Sequence, residues 1–96
     1  MSEQMDYPPD LRSRYEKVAE ALMGRGFEIM KATSIEVPGL NVYYWDKEEI
    51  TIRIECIHDR VKNISLFING RVKVVCSRIS TIFKYLEKHG WEGGEK

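Results

Sequence analysis

The sequence predicts a two-layer α+β fold: an antiparallel β-meander of about five strands with an N-terminal and a C-terminal helix packed on one face, in the order α-β-β-β-β-β-α. Three observations carry that reading. Apolar residues recur at helical spacing near both ends of the 96-residue chain. Between Phe27 and Cys76 the spacing changes to a period of two, and short turn signals punctuate that stretch.

Taken in order, residues 1–7 read as a flexible leader. Pro8 and Pro9 open a helix, because the first turn has unpaired amides that proline does not miss. Leu11, Tyr15, Val18, Ala19 and Leu22 form its apolar stripe, and Arg12, Arg14, Glu16, Lys17 and Glu20 its wet side. Gly26 is the expected left-handed cap, with Phe27 folding back on Leu22. Phe27, Ile29, Ile35 and Val37 then alternate with polar neighbours up to a turn at Pro38-Gly39. Leu40, Val42 and Tyr44 are expected opposite Val37, Ile35 and Thr33, and their apolar character assigns them to the buried face. Tyr43 and Trp45 then face outward.

The acidic run Asp46-Lys47-Glu48-Glu49 turns the chain into the clearest alternation in the sequence, with Ile50, Ile52, Ile54 and Cys56 inward and Thr51, Arg53, Glu55 and Ile57 outward. After His58-Asp59-Arg60 comes a hairpin around Asn69-Gly70, the strongest short-range signal in the chain. A two-residue turn there would set Ile68 against Arg71 and Leu66 against Lys73. A three-residue loop closing in a left-handed Gly70 pairs Leu66 with Val72 and Ile64 with Val74 instead, and parity selects it. The outer row is then Ser65, Phe67, Arg71, Lys73 and Val75. The last helix starts near Ser77 as N-cap and buries Ile79, Ile82, Phe83 and Leu86. Gly90 caps it, and Trp91 packs back on Leu86. Residues 8–91 make one domain, and 92–96 a flexible tail.

Composition bounds the function. The chain is 43% hydrophobic and 31% charged, within the range of soluble globular domains. No apolar run reaches the ~20 residues of a spanning helix and no signal-peptide pattern follows Met1, so the cytoplasm is the default location and no membrane contact is expected. Net charge is zero, but residues 1–56 hold seven basic and eleven acidic side chains, and residues 57–91 seven and two. Cys56 and Cys76 lack metal-ligand spacing. They fall on strands separated by another, beyond disulfide reach, and read as reduced thiols in the core.

The element order loosely resembles double-stranded RNA-binding domains and small toxin folds in architecture alone. The Lys-Lys-x-Ala-Lys run of the former is absent, and no family is assigned. No glycine-rich phosphate loop, cofactor site or metal site is expected; Gly24-Arg25-Gly26 has the wrong spacing and precedes a strand.

Function is therefore sought on the sheet face without helices, where parity gathers Tyr43, Trp45, Arg53, Phe67, Arg71 and Lys73. Exposed aromatic and Arg side chains suit a protein interface, so the leading expectation is a non-enzymatic interaction module that pairs with itself as a homodimer or with another protein. The same rings and cations would suit single-stranded nucleic acid, RNA or DNA, with bases stacked and phosphates neutralised. A third expectation is a small hydrolase or nuclease built on Cys56, His58 and Asp59, which a buried, protonated thiol would oppose.

Overall fold

The computed structural model describes residues 13–34 and 39–90. The elements follow as α1 (Tyr15–Gly24), β1 (Glu28–Ser34), β2 (Leu40–Lys47), β3 (Ile50–Ile57), β4 (Arg60–Ile68), β5 (Arg71–Cys76) and α2 (Ile79–Lys88). The strands form one antiparallel sheet in the order β1-β2-β3-β4-β5. This is the α+β meander that the alternation and the two helical stripes foretell. The leader, Leu11, the Pro8-Pro9 helix opening, the pairing of Ile35 and Val37, Pro38, Trp91 and the tail lie outside the described residues.

The core forms between one sheet face and the buried stripes of the helices, Val18, Ala19 and Leu22 on α1 and Ile82, Phe83 and Leu86 on α2. Beneath them the register lines side chains up in rows: Trp45, Ile52, Leu66 and Val74, then Tyr43, Ile54, Ile64 and Cys76. Each fully covered Ile or Leu contributes about 1.5–3 kcal/mol relative to exposure. The first helix ends as its glycine indicates. Gly26 adopts φ +90°, the Phe27 amide donates to Leu22 O and the Gly26 amide to Met23 O, while Phe27 is buried against the core. Lys47 Nζ donates to Arg25 O at 2.7 Å, a cation on the carbonyl end of the helix.

The structure departs from expectation at the helix starts. Arg14 is extended and pairs with Arg60 as an isolated bridge, the Val61 amide donating to Ser13 O, so α1 begins only at Tyr15. Sheet pairing wins there over helical propensity. Residue Arg78, not Ser77, precedes α2, and no side chain caps it.

The hairpin departs in an instructive way. Ile68 pairs directly with Arg71, leaving a two-residue turn in which Asn69 (φ 53°) and Gly70 (φ 82°) are both left-handed. That is the type I′ geometry Asn-Gly favours. The parity conflict is resolved one step later, inside the strand: Phe67 pairs with Val72 but Leu66 with Val74, so Lys73 is an extra, bulged residue. A similar bulge at Met30 interrupts the other edge strand, β1, and shifts its register so that Val42 opposes Thr33 and Tyr44 opposes Lys31.

Both edges of the sheet therefore carry a bulge, and the one on β5 presents a lysine, devices that discourage addition of a further strand. Deleting Lys73 should leave Leu66 opposite Val74 and the melting temperature within a few degrees. It should also flatten the β5 edge and raise concentration-dependent light scattering; unchanged scattering would mean the bulge has no protective effect.

Candidate functional site

The helix-free face is a grid of cross-strand rows. One row runs Glu28, Asp46, Thr51, Phe67, Val72; the next runs Lys31, Tyr44, Arg53, Ser65, Val75; a third runs Thr33, Val42, Glu55, Asn63. Arg53 and Phe67 stand where parity put them. The other four expected contact residues do not.

Trp45 pairs with Ile52 and Tyr43 with Ile54, so both rings lie on the helix side. Trp45 is only 4% exposed, and its Nε1 donates to Tyr15 Oη of α1 at 3.0 Å. Tyr43 stacks on Tyr15 with centroids 3.8 Å apart and an interplanar angle of 16°. Burial pushes the Tyr15 hydroxyl up to about 12, against the lowering effect of the Trp45 hydrogen bond. Leu40, Val42 and Tyr44 take the opposite face instead, Val42 being buried there outside the main core. The physical reason is the turn. Lys47 pairs with Ile50 across Glu48-Glu49, and an even-numbered loop preserves parity, so alternate residues from Lys47 back through Trp45 stay level with the isoleucines. That signal was available: the four-residue loop read at Asp46–Glu49 gives the same parity.

Arg71 pairs with Ile68 and so belongs to the helix-side parity, exposed at the edge, and Lys73 occupies the bulge. In their place the shift brings Val72 onto the helix-free face, 54% exposed, beside Val75 at 63%. Phe67 is half-buried next to them, and Ser65, 8% exposed, lies between Arg53 and Val75 in its row. Phe67, Val72 and Val75 thus form one apolar corner.

The centre and opposite corner are polar. Arg53 donates through Nε to Tyr44 Oη at 3.2 Å and pairs with Glu55 at 2.7 Å, while Asn63 Nδ2 reaches Glu55 Oε1 at 3.5 Å. Burial would raise the Glu55 carboxyl, but the Arg53 hydrogen bond and charge outweigh it and hold it below its ordinary value. Lys31 Nζ lies 5.8 Å and Arg53 Cζ 6.0 Å from the Tyr44 ring centroid, weak cation–π distances. Thr51 Oγ1 donates to Asp46 Oδ1 at 2.7 Å. Met30, Lys31, Tyr44, Asp46 and Thr51 line a shallow recess of about 350 Å³.

The Cys56, His58 and Asp59 region is dispersed. Cys56 faces the core fully covered, and burial, with the Asp59 charge adding, pushes its thiol up to about 12. His58 sits in the turn at φ 57°, its ring against Gly39, where a Cβ would stand 2.8 Å from Cε1. Asp59 pairs with Arg14 at 3.4 Å. Each side chain thus has a different partner: the core for the thiol, Gly39 for the ring and Arg14 for the carboxylate. Among the described residues no three His, Cys, Asp or Glu side chains group as a metal site, and no helix is long and apolar enough to cross a membrane.

Comparison of the chain with family models, curated proteins and solved structures finds no match.

Proposed function

We propose that this chain is a non-enzymatic interaction module that binds a protein surface through its helix-free sheet face. The observation behind this reading is the apolar corner of Phe67, Val72 and Val75, two of whose members are more than half exposed. Exposed valines beside an aromatic ring, rimmed by polar groups, have the composition of an interface centre with its rim. The bulged edges argue for the face over strand addition.

Nucleic acid fits the same face less well. With Tyr43 and Trp45 under α1, two of the three expected stacking rings are covered. The rows that remain interleave Glu28, Asp46 and Glu55 with Lys31 and Arg53, which gives phosphates no net attraction.

The test is amide NMR of isotope-labelled chain at about 10 µM, dilute relative to a weak self-contact, in an extract of the source cells. Signals of Tyr44, Phe67, Val72 and Val75 should broaden, and Val75→Lys, at an exposed site, should abolish the broadening while leaving the remaining spectrum in place. Broadening confined to α1 and α2 would overturn the reading, as would none at all in a chain that also stays monomeric at about 1 mM. A short oligonucleotide at low salt should leave these signals unmoved.

A further inference from the structure

Resting on that reading, we infer that the partner is a second copy of this chain, packed face to face about a two-fold axis along β3, with the Phe67–Val72–Val75 corner of each copy seated in the recess of the other. The inference follows from where the two features lie on one grid. The apolar corner occupies β4 and β5 in the first two rows; the recess, lined by Met30, Lys31, Tyr44, Asp46 and Thr51, occupies β1, β2 and β3 in the same rows. Rotation about an in-plane axis along the central strand keeps each row level and exchanges β4 with β2 and β5 with β1. Phe67 then lands over Asp46 and Val75 over Lys31, both lining the recess of the second copy, and Val72 over Glu28, the cross-strand neighbour of Asp46.

Such an interface is isologous, as a closed dimer requires: what one copy offers, the other receives. A recess of about 350 Å³ is at the small end of ligand pockets and suits inserted side chains. Arg53 and Glu55 fall on the axis one row apart, and their 2.7 Å ion pair keeps bare like charges from meeting there. Bulges at Met30 and Lys73 disfavour the competing edge-to-edge dimers. Five strands at ~4.8 Å spacing, six to nine residues long at ~3.4 Å each, present a face of roughly 24 by 20–30 Å. That is at or below the ~800 Å² per partner of a standard interface, so dissociation on the order of micromolar or weaker is expected.

Sedimentation velocity from about 10 µM to about 1 mM should show reversible dimerisation. Position 72 then reports the arrangement. Val72→Glu, set against Glu28, should weaken the dimer at least about tenfold, and Val72→Lys should not. Combining Val72→Glu with Glu28→Lys should restore affinity to within about threefold. Circular dichroism verifies that each exposed-site variant folds. A chain monomeric at about 1 mM overturns the dimer, and equal loss in Val72→Glu and Val72→Lys, or no rescue by Glu28→Lys, overturns the two-fold along β3. If the chain stays monomeric yet Val75→Lys still abolishes the broadening in extract, only the second copy is excluded and the interaction face stands.

Discussion

Replacing Trp45 by alanine is expected to cost about 3–5 kcal/mol, the range for large-to-small changes of a buried aromatic residue. The ring is 4% exposed within the main core, and its Nε1 is the donor to Tyr15 Oη at 3.0 Å. Removing it opens a cavity beneath α1 and takes away the hydrogen bond to the Tyr15 hydroxyl. A domain of this size has on the order of 5–10 kcal/mol to lose, so about a third or more of its stability goes with one side chain. Tyr15→Phe, which keeps both rings and deletes only the hydroxyl, should cost about 1 kcal/mol. Urea unfolding of both variants checks this. A Trp45→Ala protein within 1 kcal/mol of the parent would mean the indole does not pack under the helix.

Alkaline pH should unfold the protein earlier than exposed side chains would dictate. Cys56 is fully covered, and its thiol titrates near 12 in the fold against 9.0 in an ordinary environment. Tyr15 behaves alike, near 12 against 10.0, and burial also raises Tyr43. Each of these groups is neutral in the fold and ionises more readily in the unfolded chain. Their stabilisation is therefore intact below pH 9 and is lost progressively as pH rises from about 9 towards 12. For Cys56 alone the loss by pH 11 is on the order of 2–3 kcal/mol, at 1.36 kcal/mol per pKa unit. Urea midpoints measured at intervals from pH 7 to 11 should fall steeply above 9, and Cys56→Ala, though less stable at pH 7, should show a shallower slope. An identical slope in that variant would place the thiol in contact with water.

How much of the candidate face was legible depended on loops more than on strands. Arg53 and Phe67 were placed correctly because β3 and the end of β4 alternate without interruption. Trp45 and Tyr43 lie opposite to expectation because β2 offers two plausible apolar rows, Leu40-Val42-Tyr44 and Tyr43-Trp45, and composition favours the wrong one. Loop length decides between them: Lys47 opposite Ile50 fixes every residue upstream. Val72 faces outward against expectation for the complementary reason. The parity conflict at Asn69-Gly70 was real, but its resolution moved from the loop into the strand as a bulge at Lys73.

Sequence by itself determined the number, order and type of elements, the Gly26 and Gly90 helix caps and the isoleucine row of the core. Each of these is written in local chemistry: apolar period, left-handed glycine, turn dipeptide. Only the tertiary structure decided where α1 starts and which valine of β5 faces outward. Those choices turn on a bulge at Lys73 and on pairing between distant segments, Arg14 with Arg60. A one-residue insertion costs little locally but carries every following side chain to the other side of the sheet, so no reading of local pattern fixes it.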